Sequence, residues 1–130
     1  NTIKKEIPML IIHTTTASKK EAKFLAQSLL ESHLVACAQY HKITSAYLWR
    51  ESKEQDYTIH QSKEWLLTFK TLPSYYKDIQ ALLLKLHSYD VPEIIAFEAQ
   101  SHKAYEAWIH SSLCWNPNPN DMDINDTSHQ

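Results

Sequence analysis

Apolar residues follow two kinds of pattern along the chain, short runs typical of strands and stripes with helical spacing. The run Met-Leu-Ile-Ile at residues 9–12 predicts a buried strand. Stripes at every third or fourth position predict helices at residues 18–32, 73–87 and 101–113. Further apolar segments predict strands at residues 36–49, 65–70 and 94–99. The predicted order is strand, helix, strand, strand, helix, strand and a final helix.

The predicted helices have recognisable start and stop signals. Ser18 and Glu21 have the spacing of a capping box, in which each side chain bonds a free backbone donor at the helix start. Pro73 lies where a helix can begin without losing a hydrogen bond, and Pro92 forbids continuation of that helix. Ser101 is a candidate cap for the last helix.

The second and third strands are predicted to form a long hairpin. Residues 36–49, with a break near residues 41–42, face a return strand at residues 65–70 across a polar segment at residues 50–64. The hairpin carries the large aromatic residues Tyr40, Tyr47, Trp49, Tyr57 and Trp65. A two-stranded ribbon is only marginally stable in water, so this much aromatic surface indicates an interface.

This order of elements is the order of ferredoxin-like domains. Each helical crossover joins parallel strands that have one strand between them, so both helices pack on one face of the sheet. We therefore predict an α+β, ferredoxin-like βαββαβ sandwich with a four-stranded antiparallel sheet and a C-terminal helix. Residues 1–114 would form a single domain and residues 115–130 a disordered polar tail. The uncovered sheet face predicts a homo-oligomer.

Composition narrows the possible functions. The formal net charge of −2 gives no long-range attraction to phosphate backbones or anionic lipids, so neither nucleic acid nor a membrane is an expected partner. The chain contains no glycine, which excludes the glycine-rich loops of nucleotide-binding proteins. Cys37 and Cys114 lack metal-ligand spacing and are interpreted as reduced structural thiols, as expected of a cytoplasmic protein.

Five segments in the same order, with nearly the same spacing, resemble the divalent-cation tolerance protein CutA family over about residues 9–113. They are Leu-Val-Ala-Cys-Ala at 34–38, Thr-Ser-Ala-Tyr-Leu-Trp at 44–49, Phe-Lys-Thr at 69–71, His-Ser-Tyr-Asp-Val-Pro-Glu-Ile at 87–94 and Tyr-Glu-Ala-Trp-Ile at 105–109. The chain departs from the family pattern where it lacks glycine at residues 41–42 and 50–52, and its hairpin is several residues longer. The resemblance implies a homotrimer with hairpins that reach neighbouring subunits, and a link to divalent-metal tolerance and copper binding.

Histidine is the basis of a metal hypothesis, because neutral imidazole binds copper, zinc and nickel. The resemblance assigns candidate ligand positions to His13, after the first strand, and His87, at the end of the second helix. A trimer would present each of them three times. The alternative is that both make ordinary hydrogen bonds. His102, Glu106 and His110 share a face of the last helix, where a solvated surface is the favoured interpretation.

The resemblance also implies an inter-subunit cleft lined by Tyr47, Trp49, Lys70, Tyr89 and Glu93. Lys70 and Glu93 could form a structural ion pair, or they could bind a small anionic ligand beside the aromatic side chains.

Catalysis is not expected. Acylphosphatases have the same fold and carry an arginine in a phosphate-binding loop after the first strand. Here that loop, residues 13–17, reads His-Thr-Thr-Thr-Ala, and the only arginine of the chain is Arg50 in the hairpin. Two hypotheses remain. The first is a trimeric, metal-responsive protein that binds Cu²⁺ or another divalent cation. The second is a trimeric signalling or scaffold protein that binds a small molecule or a protein partner in the inter-subunit cleft.

Overall fold

The computed structural model describes residues 8–115, so residues 116–130 of the predicted polar tail lie outside the described residues. The elements are β1 (Met9–Thr16), α1 (Lys19–Glu31), β2 (Cys37–Trp49), β3 (Thr58–Thr71), α2 (Tyr76–Leu86), β4 (Ile95–Ala99) and α3 (Lys103–Cys114). A single 3-10 turn, Pro73–Tyr75, leads into α2. The predicted order of elements is confirmed.

The four strands form one sheet with the order β2-β3-β1-β4. Each neighbouring pair is antiparallel. The strands joined by α1 therefore run parallel with β3 between them, and those joined by α2 run parallel with β1 between them. This is the predicted α+β, ferredoxin-like sandwich.

The main core lies between one face of the sheet and the helices α1 and α2. Alternate residues of β1 and β3 point towards the helices, and Ile12 and Phe69, which are opposite each other, are fully buried. The helices contribute the fully buried residues Leu25, Leu29, Ile79 and Leu83. We call this side of the sheet the helix side.

The other side of the sheet is only partly covered. Helix α3 packs over one end of it, where Met9, Leu72, Ile109 and Leu113 form a second, smaller cluster. The uncovered remainder, which we call the open face, includes His13 of β1, Tyr47 and Trp49 of β2, and Ile95 and Phe97 of β4. The last four residues of this group are all about half exposed. The protomer therefore has the uncovered sheet face that the sequence predicts.

The hairpin differs from its prediction in two respects. The pairing of β2 with β3 runs without interruption from Cys37 and Lys70 to Trp49 and Thr58, so the predicted break near residues 41–42 is wrong. Strand β3 also begins seven residues earlier than predicted, which shortens the loop to residues 50–57. Residues 58–64 are polar except for Ile59 and none of them is buried, so the sequence lacks the alternation of a half-buried strand here.

The predicted caps are only partly formed. The Ser18 hydroxyl accepts a hydrogen bond from the backbone N–H of Glu21 at 3.1 Å, as predicted. The Glu21 carboxylate does not return this bond but contacts Ser88 instead. Ser101 does not cap α3, because the N-cap residue is His102 and the Ser101 hydroxyl donates to the carbonyl of that residue.

Candidate functional site

The segment between α2 and β4 positions His87 against the end of β1. The side chain of His87 is fully buried, and its Nε2 atom lies 2.8 Å from the carbonyl oxygen of Thr15. Its Nδ1 atom lies 3.1 Å from the backbone N–H of Tyr89. A carbonyl can only accept and a backbone N–H can only donate, so the ring carries its proton on Nε2. Both ring nitrogens are thus engaged within the protomer.

Glu21 connects the start of α1 to the same segment. Its carboxylate accepts hydrogen bonds from the backbone N–H and the hydroxyl of Ser88, both at 2.8 Å. One carboxylate oxygen also lies 3.7 Å from Nδ1 of His87. Because Nδ1 is an acceptor in this tautomer, that approach is not a hydrogen bond. Sequence reasoning assigned Glu21 only to a capping box, and nothing in its local spacing indicates the contact with Ser88.

Tyr89 lies against His87 and reaches across to the hairpin. Its ring centroid is 4.9 Å from that of His87, and its hydroxyl donates to the Glu64 carboxylate at 2.8 Å. Burial of the hydroxyl, together with the hydrogen bond and negative charge of Glu64, raises the pKa of Tyr89 above its ordinary value. Tyr47 and Glu21 contribute smaller effects to this pKa, so two of the predicted cleft residues, Tyr47 and Tyr89, share one neighbourhood. Glu64 was missed because it was assigned to the loop.

His13 lies apart from this network. It is a residue of β1, where it pairs with Thr68 on one side and Ile95 on the other, and its ring meets that of Phe97 edge-on at 5.4 Å. Within residues 8–115 there is no group of three or more His, Cys, Asp or Glu side chains that could hold a metal ion. A single protomer therefore does not provide a donor set that fits a closed metal site.

The other predicted cleft residues are spread across the protomer. Trp49 lies beside Tyr47, with ring centroids 6.4 Å apart, near the end of the hairpin. The Lys70 ammonium lies 5.5 Å from the ring centroid of Tyr105 on α3. Glu93 is exposed, and among residues 8–115 it forms no ion pair with Lys70. Lys70 lies opposite Ile11, whereas Glu93 precedes β4 beyond the level of His13, so the two do not meet within one protomer, and an ion pair between subunits stays a prediction.

Comparisons with known proteins agree with this architecture. Residues 10–112 match the sequence model of the family described as CutA1 divalent ion tolerance protein. The chain is 30% identical to the divalent-cation tolerance protein CutA of Thermotoga maritima over 106 residues, which cover 81% of this chain and 99% of that protein.

The chain also matches solved structures of CutA proteins. CutA from Synechococcus elongatus matches with a TM-score of 0.75 and 30% identity, covering 84% of this chain and 93% of that one. A second structure of that protein is described as complexed with a Bis-Tris molecule. A protein of Archaeoglobus fulgidus described as periplasmic divalent cation tolerance protein CutA matches with a TM-score of 0.73 and 27% identity, covering 81% and 98%.

No helix among residues 8–115 is long and apolar enough to cross a membrane. The family match covers most of the chain, and the fold agrees with solved CutA structures at TM-scores of 0.73 and 0.75. The chain belongs to the CutA1 divalent ion tolerance protein family.

Proposed function

We propose that the protein is a non-enzymatic cytoplasmic homotrimer that contributes to divalent-cation tolerance by binding Cu²⁺ or another divalent metal ion. The observation that carries this proposal is the open face, where a histidine of β1 lies on an apolar surface that the protomer leaves uncovered. A surface of this kind is typical of subunit interfaces.

The trimer is supported by the aromatic residues at the end of the hairpin. Trp49 is 51% exposed and Tyr47 41% exposed, and the two pack edge-on against each other rather than against the body of the protomer. Exposed aromatic rings on a projecting ribbon are stabilised when a second subunit covers them. The family membership makes a trimer the assembly to test first.

The metal proposal favours His13 over His87. The His13 side chain forms no hydrogen bond with any other residue among 8–115, and it lies on the face that the proposed assembly brings together. A symmetric trimer would place its three copies around one axis, which would supply the donors that one protomer lacks. His87 would have to release Thr15 or Tyr89 before either nitrogen could bind a metal ion.

The test is a copper titration by calorimetry, with the mass in solution measured by sedimentation on the same samples. We expect a mass three times that of the chain, and about one ion bound per trimer at a site shared between subunits. The substitution His13→Ala should abolish this binding and leave the mass unchanged. His102→Ala, which removes an exposed histidine from the start of α3, is the matched control and should bind normally.

Two outcomes would contradict the proposal. A monomer would remove every shared site, and a trimer that binds no divalent cation would reject the metal function while leaving the assembly intact. His87→Ala should be tested together with its unfolding free energy, because loss of its two hydrogen bonds would destabilise the chain by about 1–3 kcal/mol irrespective of metal.

The second candidate function is binding of a small molecule in a cleft between subunits. It is favoured by the neighbourhood of Tyr47, Tyr89 and Glu64, which combines aromatic rings with a carboxylate. A relative from Synechococcus elongatus is described as complexed with Bis-Tris, an amino-alcohol. Titration with Bis-Tris should therefore produce heat that Glu64→Gln reduces. A trimer that binds Bis-Tris but no metal would favour this function, and one that binds neither would reject both.

A further inference from the structure

The helix side of the hairpin carries a row of lysines beside an aromatic pair. Strand register places Lys42, Lys63 and Trp65 on this side, together with Leu48 and Ile59 nearer the loop. The side chain of Lys19, the first residue of α1, reaches the same place from the body of the protomer, with its ammonium 5.6 Å from the Trp65 ring centroid. We call this set the lysine strip: Lys19, Lys42, Lys63, Trp65, Leu48 and Ile59.

The three lysines lie on the same side of the sheet as Trp65, and the Lys63 ammonium donates a hydrogen bond to the Thr44 hydroxyl at 2.8 Å. Lys42 is the residue directly opposite Trp65, and Lys63 precedes Trp65 by two positions on the same strand. The Trp65 ring meets that of Tyr40 edge-on at 6.3 Å, which fixes it against the core. The strip is therefore a positively charged surface on a rigid, paired ribbon.

These charges are not neutralised by the chain. Among residues 8–115 no carboxylate lies within 4.0 Å of a lysine, and the one close contact between a carboxylate and a basic residue joins Glu21 to His87. The two carboxylates nearest in sequence, Glu21 and Glu64, are engaged by Ser88 and Tyr89. Glu64 also points to the opposite side of the ribbon, because it alternates with Trp65.

The Lys19 ammonium gains a cation–π contact with the Trp65 ring, but its place in the helix also has a cost. Positive charge in the first turn of a helix is unfavourable because the helix dipole is positive at that end. The repulsion between Lys19, Lys42 and Lys63 adds to this effect. A binding partner of opposite charge would relieve both.

The end of the strip near the hairpin loop is apolar. Leu48 and Ile59 lie opposite each other and are 64% and 77% exposed, so they form an aliphatic pair in solvent. From Ile59 to Trp65 the strip spans about 20 Å, which is the length of an extended peptide of about six residues. In the proposed trimer the open face turns towards neighbouring subunits, and the lysine strip on the reverse side faces outward.

We propose that the lysine strip is a docking surface for an acidic segment of a partner protein that also carries aliphatic side chains. The carboxylates would contact the lysines beside Trp65, and the aliphatic side chains would pack on Leu48 and Ile59. A nucleic acid fits less well because its phosphate backbone has no aliphatic groups to pack on Leu48 and Ile59, whereas an acidic peptide can carry aliphatic side chains between its carboxylates. This inference does not involve the metal, and relies on the proposed function only for the outward direction of the strip.

The experiment uses the full chain and a fluorescein-labelled peptide of eight residues in which Glu and Leu alternate. Binding is followed by fluorescence anisotropy, and the double variant Lys42→Ser/Lys63→Ser is compared with Lys77→Ser/Lys85→Ser. The second pair removes the same charge from exposed positions of α2. We expect the first variant to bind about ten-fold more weakly and the second to bind within about two-fold of the parent. Leu48→Asn/Ile59→Asn should also weaken binding.

Further measurements test whether something other than an acidic partner segment binds the lysine strip. Equal loss in both lysine variants would mean unspecific charge attraction and would overturn the proposal. Tighter binding of an oligonucleotide or of anionic phosphatidylserine vesicles than of the peptide would overturn it as well. A chain ending at residue 115 that binds the peptide much more strongly than the full chain would assign the strip to the chain's own residues Asp121, Asp123 and Asp126, and would overturn the proposal of a partner protein.

The solution mass separates this proposal from the proposed function. A lower mass for Lys42→Ser/Lys63→Ser would make the strip a subunit contact and would overturn the docking surface. A monomeric parent that still binds the peptide through the strip would reject the trimer and support the docking surface.

Discussion

Thr14 and Thr16 are fully buried hydroxyl residues on the helix side of β1, and they differ in one property. The Thr16 hydroxyl donates to the carbonyl oxygen of Ser18 at 2.8 Å. The Thr14 hydroxyl is buried without a hydrogen-bond partner among residues 8–115. A buried hydroxyl with no partner loses its bonds to water on folding and gains nothing in return.

Replacement of Thr14 by valine should stabilise the protein. Thr14→Val keeps the shape and removes the unpaired hydroxyl, so we expect the free energy of unfolding to rise by about 1 kcal/mol. The matched variant Thr16→Val removes a hydroxyl that is bonded, and should lower the free energy by about 1 kcal/mol. Urea denaturation measures both. Equal effects of the two substitutions would contradict this account.

Tyr89 should make stability depend on alkaline pH. The pKa of an unfolded tyrosine is about 10, and in the folded protein burial and Glu64 raise it. The stabilisation is therefore complete below the unfolded pKa and is lost as the pH rises above about 10 towards the folded value. We expect the unfolding free energy of the parent to fall more steeply above pH 10 than that of Tyr89→Phe. Tyr57→Phe, at an exposed position in the hairpin loop, should keep the parent's slope.

At the scale of elements, α1 ends in a motif that usually contains glycine. His33 has a φ of 58°, the only positive φ among residues 8–115. The N–H of Leu34 bonds to the carbonyl of Leu29 and that of His33 to the carbonyl of Leu30, which is a Schellman termination. In a chain without glycine, histidine has to adopt the left-handed conformation.

His33→Gly should therefore stabilise the protein by about 0.5–1 kcal/mol, because it removes the steric strain of a Cβ atom at this φ. The contact between the rings of His33 and Trp115, whose centroids are 5.8 Å apart, would be lost and reduces the gain. Ser32→Gly is the control, since Ser32 has a right-handed φ of −81° and gains nothing from glycine. Thermal unfolding should rank His33→Gly above the parent and Ser32→Gly below it.

The order and type of the helices and strands could be predicted from the periodicity of apolar residues. The residues at which each element begins and ends depend also on contacts with the rest of the fold. Pro73 marks the start of the helical segment as predicted, although its first turn, Pro73–Tyr75, is a 3-10 turn, and α2 ends at Leu86, before Pro92 is reached. The start of β3 could not be predicted from the sequence, because residues 58–64 pair with β2 outside the core and carry no buried face. Strand β1 also continues to Thr16 through threonines that sequence reasoning did not count as core.

The candidate site was predictable only in part. The family resemblance pointed to Tyr47, Trp49 and Tyr89, which the structure places in one neighbourhood, while their role in a cleft between subunits stays a prediction. The partners Glu21, Ser88 and Glu64 could not be predicted, since their contacts join residues 25 to 67 positions apart in the chain. No local spacing encodes such contacts, which arise only when the segment after α2 folds over the end of β1.

At the scale of the whole molecule, the two sides of the hairpin should have separate roles. Tyr47→Ser/Trp49→Ser removes aromatic rings from the open face, so we expect the proposed trimer to dissociate at micromolar concentration and the sedimentation mass to fall. Leu48→Asn/Ile59→Asn changes the reverse side and should leave the mass unchanged. If both variants keep the parent's mass, the hairpin takes no part in assembly.

The strand register also sets an order of folding events. Trp49 pairs with Thr58 across one short loop, whereas Met9 of β1 pairs with Ala99 near the other end of the described chain. Contacts between residues close in sequence form first, because closing a long loop has a larger entropic barrier. The hairpin should therefore form early, and in the proposed trimer its aromatic residues would stay exposed until the subunits associate. Refolding should contain a final phase whose rate rises with protein concentration, and dilute chains should be the ones most vulnerable to proteolysis.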